Sequence, residues 1–499
     1  MQSIVTPNDQ GAFPTLFRFL RKLVTNIANI SLVPPIHILD EDALLNVFYI
    51  LGLDIADIYD DVVFQAKWNR VRWWYKPAQV CRRWRNLILA SPVRLDLHLV
   101  CTYGTPVADM LAHSSPLPLV IDYLDIDRER TAEDDDGILL ALQHCDRVRR
   151  IGLVVSATNL LRPLLAMHKR FPILERVFVR SRTGDQTYLV VPEAFQAPCL
   201  RGLVLSCASL PRGLPLLLTS TGLVILVLEC IPPSSYFPPR HLLARLSSLT
   251  QLKTLSIGFT YPAPVDDVER QLSYTQSVAQ VILPNLRSLF LHGGNAYLEA
   301  LLARMNTPQL EIIHVWYFHQ FVFNLPHLSR FASSIKKPQC DFAWLHFYPG
   351  EVILIAPKAL KGDWVPFRIQ ITCTHLDWQV ASAVQVFGAI APILSVVELL
   401  ELSFYSDEPS ERYNEVDPTQ WCELLRPFRN VKTLSVDDAL VGELSHSLRL
   451  VDGGASPERL FPELRELRYS GGDRVGDAFA PFIHARQAAG QHVDLVRDS

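Results

Sequence analysis

From about residue 148 onward the chain keeps returning to one hydrophobic phrase: an apolar residue, two variable positions, an apolar residue, one variable position, an apolar residue. It reads VRRIGL from Val148, LERVFV from Leu174, LRGLVL from Leu200, LVILVL from Leu223, LKTLSI from Leu252 and LRSLFL from Leu286. Further copies are LEIIHV from Leu310, FAWLHF from Phe342, VELLEL from Val397, VKTLSV from Val431 and LRELRY from Leu464. The closing alternation has a period of two. Each phrase therefore predicts a short strand whose apolar side chains enter a core while the residues between them face out. Helix-like stretches such as ARLSSLT and LEALLARMN lie between the copies.

The early copies are separated by steps of 26, 26, 23, 29, 34 and 24 residues. A unit of roughly 20–29 residues carrying LxxLxL is the mark of leucine-rich repeats, in which stacked units bury together what one unit cannot bury alone. The asparagine or cysteine that usually follows the phrase is missing, its place taken by Ala208, Ile231, Thr260, Gly294 and Gly472. An array with irregular curvature is expected. The 55-residue step from Phe342 to Val397 hides a degenerate repeat or an insertion, with FRIQITC as a candidate strand.

Ahead of this ladder, IHILDEDALLNVFYIL places Leu44, Val47, Phe48 and Leu51 on one face of a helix, with Asp40, Glu41 and Asp42 at its amino end to cap free amides and meet the dipole. A second helix is predicted from near Pro77 to before Pro92. Its inner stripe is Val80 or Cys81, Trp84, and Leu87 or Ile88, with Arg82, Arg83 and Arg85 outward. Two other stretches admit a membrane reading. FPTLFRFLRKLVTNIANI is amphipathic and basic, a packing helix or a membrane-surface helix. Residues 378–397 carry no charge over 20 positions, but Gln379, Gln385 and Pro392 favour a soluble helix, a turn and a buried strand over a span.

Net charge is -4 and 49% of residues are hydrophobic, so the composition fits a large core and argues against a general nucleic-acid coat. The nine cysteines include no CxxC pair, and MQSIVTPNDQGAF has no signal-peptide pattern, so reduced thiols in the cytoplasm or nucleus are expected. No HExxH, GxSxG, P-loop or GxGxxG in strand context is present; no catalytic residue, metal site or cofactor is assigned. EDDD at 133–136 fits the start of a helix better than a cation site.

LDEDALLNVF followed by VCRRWRNL resembles an F-box, whose general form is LPxExLxxIF and then VCRxWRxL. Leu39, Asp42, Ala43, Leu44, Leu45, Val47, Phe48, Val80, Cys81, Trp84, Arg85 and Leu87 occupy matching positions. Asp40 replaces the family's proline, and the connection from Leu51 to Trp73 is longer than the family's. The stretch WWYKPAQVCRRWRNLILASPVRLDLHLVCTYGTPVADMLAHSSPLPLVIDY, the phrases TAEDDDGILLAL and DRVRRI, and the ending FIHARQAAGQHVDLVRD are similar to F-box/leucine-rich-repeat proteins of mushroom-forming fungi.

The resemblance implies an α+β or α/β chain in which an N-terminal helical F-box precedes an irregular, horseshoe-like leucine-rich-repeat solenoid. Expected parts are an extension (1–35), the F-box-like module (36–92), a connecting module (93–145) and the array (146–499). The implied function is a substrate receptor of an SCF-type ubiquitin ligase. Leu39, Leu44, Leu45, Val47, Phe48, Val80, Cys81, Trp84, Arg85 and Leu87 would engage a Skp-family adaptor and, through it, a cullin. A client protein would bind the outward strand positions, among them Phe178, Phe290, His292, His314, Trp316 and Arg468. Two other readings stay open: a repeat scaffold whose F-box is too degenerate to bind the adaptor, and a nucleic-acid protein using the basic, aromatic segment 67–85. No nucleic acid, membrane or cofactor is expected on the first reading.

Overall fold

The computed structural model describes residues 39–56, 73–113, 116–125, 127–155, 167–181, 188–209, 215–260, 280–318, 320, 322–334, 340–357, 365–405, 416–452, 460–471 and 477–497. The amphipathic segment FPTLFRFLRKLVTNIANI and residues 67–72 of the basic segment lie outside them. Compactness divides the chain after Asp122.

The first unit contains helices α1 (Glu41–Ala56), α2 (Tyr75–Val80) and α3 (Arg82–Ala90), then strand β1 (Leu99–Cys101), helix α4 (Val107–His113) and strand β2 (Leu119–Tyr123), which ends just past the division. Asp40 caps α1: its Oδ1 accepts from the Ala43 amide at 2.7 Å, so the residue standing in place of the family's proline satisfies a free helix N–H. The expected single helix from Pro77 to Pro92 is two helices. Cys81 breaks it with extended backbone (φ -157°, ψ 167°), and its Sγ accepts from the Trp84 amide at 3.5 Å, making it the N-cap of α3. Strands β1 and β2 are parallel, Leu99 beside Leu119.

In the second unit every copy of the repeated phrase forms a strand. They are β3 (Val148–Val155), β4 (Arg176–Ser181), β5 (Gly202–Ser206), β6 (Ile225–Ile231), β7 (Thr254–Phe259), β8 (Ser288–Gly293), β9 (Ile312–Tyr317), β10 (Phe342–Tyr348), β13 (Leu399–Phe404), β14 (Thr433–Val436) and β15 (Glu466–Tyr469). The long step is an insertion. It adds β11 (Glu351–Ala356) and β12 (Phe367–Thr372, the FRIQITC candidate), and a last strand β16 (Asp494–Arg497) closes the edge. The spatial order is β3-β4-β5-β6-β7-β8-β9-β12-β11-β10-β13-β14-β15-β16. All neighbours are parallel except β11, which is antiparallel to both β12 and β10. One backward strand therefore lets two more join the sheet without breaking it.

The apolar positions of the phrase turn inward as expected, but the positions between them are not all exposed: β5 and β7 are buried along their whole length and β11 along most of it. Leu255, Ile257, Leu289, Ile313, Val315, Leu345, Phe347, Leu400, Leu402, Leu434, Val436 and Leu467 are all buried. They pack under helices that follow the strands: α5 (Ala132–Gln143), α6 (Pro215–Thr219), α7 (Pro239–Leu246), α8 (Asn295–Leu302), α9 (Pro326–Ser334), α10 (Leu376–Ala389), α11 (Ala391–Leu394), α12 (Pro418–Leu425), α13 (Asp438–Asp452) and α14 (Ala480–Ala488). From α7 to α10 each helix packs on the next; α11 meets α9 and α10, α12 packs on α10, and α13 and α14 continue the row. Edge-on ring contacts such as Phe347 with Trp421 at 5.6 Å join sheet to helices.

The uncharged 378–397 stretch is α10, a break, α11 and the lead into β13. Its glutamines are structural. Gln379 Nε2 donates to the Tyr348 and Cys373 carbonyls at 2.8 and 2.7 Å, and Gln385 Oε1 accepts from the Phe323 amide at 2.8 Å. Among the described residues no helix is long and apolar enough to cross a membrane. EDDD opens α5, where Thr131 and Asp134 form a reciprocal capping box. No cluster of metal-ligating side chains is found among the described residues.

Candidate functional site

Strand register decides which outward side chains meet. Phe290 on β8 lies beside His314 on β9, and His292 lies beside Trp316. The rows continue to Arg368 and Gln370 on β12. Phe290 and His314 meet edge-on at 4.9 Å, while His292 stacks on Trp316 at 4.3 Å and touches Phe318 at 4.7 Å. Gly258, opposite His292 on β7, adds no side chain to this row.

The insertion extends the aromatic surface. On β10 the outward positions are Trp344, His346 and Tyr348, beside Ile355, Ile353 and Glu351 of β11. Tyr348 stacks on Tyr405 at 4.9 Å, and His346 approaches Tyr405 at 5.4 Å. The band therefore crosses β8, β9, β12, β11, β10 and the end of β13. Reading the outward positions of FAWLHF as those of LRSLFL are read would have found its second half.

Polar partners hold these rings in place. Trp316 Nε1 donates to Thr372 Oγ1 at 2.9 Å, Trp344 Nε1 donates to Glu401 Oε2 at 3.1 Å, and His314 Nε2 sits 2.7 Å from the Val365 carbonyl. Arg368 donates to Gln370 Oε1 at 3.1 Å, and Gln370 Nε2 donates to Glu351. Burial of the imidazole lowers the pKa of His292 to about 4, and burial also lowers those of His314 and His346. Arg368 and Glu351 share this face with the rings, and Trp316 is open to solvent at 39% exposure. Such a face combines aromatic contact area with charged and polar side chains.

Two expected client contacts do not belong to it. Phe178 is buried within its row on β4, beside Gly152 and Val204, and has no surface to offer. Arg468 on β15 lies several strands away and pairs with Glu466 at 3.1 Å.

In the first unit, Leu44, Leu45, Phe48, Leu87 and Ile88 are buried, and Phe48 meets the half-buried Trp84 edge-on at 4.9 Å. These side chains form the module's own core. Of the two alternatives for the inner stripe of the second helix, Val80 is 62% exposed, and on the expected apolar face of α1 Leu51 is exposed at 42%. Cys81 is half-buried as a cap, and Leu39 and Val47 are half-buried. Nor do all the arginines simply project. Arg83 Nη2 donates to the Leu39 carbonyl at 2.7 Å, tying α3 to the start of α1, and Arg85 Nε donates to the Ala78 carbonyl at 3.0 Å. Among the described residues of this unit the open large apolar side chains are Tyr49, Ile50, Leu51, Val80, Leu89 and Val93, which residue type alone could not separate from the core.

No family model matches the chain. No curated protein matches it either. Among solved structures, the chain is similar to the leucine-rich repeat-containing protein LegL7 from Legionella pneumophila, at 12% identity and a TM-score of 0.26 over 77% of this chain and 97% of that one.

Proposed function

We propose that this chain is a protein-binding repeat receptor whose client sits on the aromatic band of the parallel sheet and whose N-terminal helices dock a Skp-family adaptor. The observation that carries the reading is the band itself: Phe290, His292, His314, Trp316, Trp344 and Tyr348 on one sheet face, ordered by partners of their own. Rigid aromatic side chains contribute contact area at small entropic cost, and truncating one at an interface centre typically costs about 2 kcal/mol or more. A stacked array positions such a face without needing chemistry of its own.

The adaptor half of the proposal rests on the F-box resemblance and on the packed helix module beneath it. Phe48 against Trp84 makes a core, which leaves exposed apolar side chains such as Tyr49, Ile50, Leu51, Val80, Leu89 and Val93 to meet a partner. On this reading the cullin complex and the ubiquitin-transferring subunits are supplied by other chains, and this chain performs no catalytic step. The test is affinity purification of the chain with and without its first hundred residues. Adaptor and cullin peptides should accompany only the longer form; adaptor retained by the shortened chain would remove the F-box assignment.

A further inference from the structure

Outside the aromatic band, one pair of nucleophilic side chains has no part in the reading above. Cys207 follows β5 and Cys230 lies on β6, on neighbouring parallel strands whose register sets Ser206 beside Glu229. The Cys207 amide donates to the Glu229 carbonyl at 2.9 Å, which extends the pairing by one residue and brings the cysteines side by side. The register of β6 against β7 is irregular between Leu228 and Ile231, around Cys230.

Both cysteines have left-handed backbone, with φ of 57° at Cys207 and 50° at Cys230. That conformation costs a residue with a Cβ and favours glycine, so two such residues side by side mark a local arrangement held by its surroundings. Ser206 Oγ donates to Cys207 Sγ at 3.9 Å. Cys230 is exposed and Cys207 half-buried, so the pair is open to reagents. Both are free thiols.

The electrostatics separate their roles. The Cys230 side chain holds the Cys207 pKa down at about 6, with help from Ser206 and the Arg180 charge against opposing burial and Glu229. Cys230 is pushed the other way by the neighbouring Cys207. A thiolate beside a protonated thiol is the arrangement of an attacking and a resolving cysteine.

We propose that Cys207 and Cys230 form a reversible dithiol–disulfide site that exchanges with low-molecular-weight disulfides of the glutathione type. The Cys207 thiolate attacks one sulfur of the reagent. Its S–S bond breaks, one thiolate leaves and takes up a proton, and a mixed disulfide remains on Cys207. The Cys230 thiol then loses its proton to solvent and attacks the Cys207 sulfur, expelling the second thiolate. Two protein thiols are oxidised to one disulfide, and one reagent disulfide is reduced to two thiols.

The test uses the full reduced chain. Under limiting iodoacetamide at about pH 6.5, Cys207 should be alkylated several-fold faster than the exposed Cys199. After glutathione disulfide treatment, intact mass should fall by two hydrogens and peptide mapping should join Cys207 to Cys230, reversibly with reduced glutathione. Cys230→Ser should instead accumulate the glutathione adduct on Cys207. Alkylation of Cys207 no faster than of Cys199 would overturn the assignment of roles. A treated chain in which Cys207 and Cys230 stay reduced, or pair with other cysteines, would overturn the site.

Discussion

At the scale of the residue, burial separates side chains that look alike in the sequence. Phe48 and Trp84 both face the core of the helical module, but Phe48 is fully buried and Trp84 half-buried. Phe48→Ala should therefore cost about 3–5 kcal/mol of module stability, and Trp84→Ala clearly less, because part of the indole is hydrated in either state. Denaturant unfolding followed by tryptophan fluorescence measures the order; an equal or larger loss for Trp84 would mean that the indole is the true centre of the module. His292 makes a second prediction. Its pKa of about 4 lies below the ordinary 6.5 of histidine, so between these values the unfolded chain binds more protons than the folded one. Its stabilising contribution is complete above about pH 6.5 and is lost as pH falls toward 4. A pH series of unfolding midpoints should show that loss, and His292→Phe should reduce it; an identical pH dependence in the variant would place the titration elsewhere. The helix–helix break at Cys81 illustrates what residue types conceal. Every neighbour from Ala78 to Arg85 tolerates helix, and only the fold turns the thiol into a cap.

At the scale of the element, the ladder was legible because a period of two with a fixed offset leaves few other structures. Each LxxLxL phrase became a strand with its apolar residues inward, and the gap between Phe342 and Val397 proved to be an insertion. The reversed strand β11 was not legible. EVILIA sits between two strands, with Val352, Ile353 and Leu354 all buried, so it shows neither alternation nor the repeat phrase. That strand decides the site, since it carries β10 and its Trp344, His346 and Tyr348 into the same sheet as Trp316. Helix α5 offers a prediction at this scale. Thr131 and Asp134 cap each other's free amides, so Thr131→Ala should cost roughly 0.5–2 kcal/mol. Calcium added to the native chain should leave its melting temperature unchanged, because the acidic run is a helix start. A calcium-dependent rise in melting temperature would reassign it as a cation site.

At the scale of the whole molecule, the proposed client and adaptor surfaces lie on different units and can be altered separately. On the array, the Phe290→Ala, Trp316→Ala double variant should fold, since neither ring is in the core, and should lose the proteins recovered with the native chain. An unchanged set of recovered proteins would move the client site off the aromatic band. In the module, exposed Ile50 and Val80 can be changed without opening the core formed by Leu44, Phe48 and Ile88. Calorimetric titration of the purified full chain with purified adaptor decides whether this module engages a Skp-family adaptor as proposed. The account predicts saturable binding with one adaptor per chain, abolished by the Ile50→Asp, Val80→Asp double variant while its unfolding midpoint stays close to that of the native chain. A folded native chain that takes up no adaptor would contradict it.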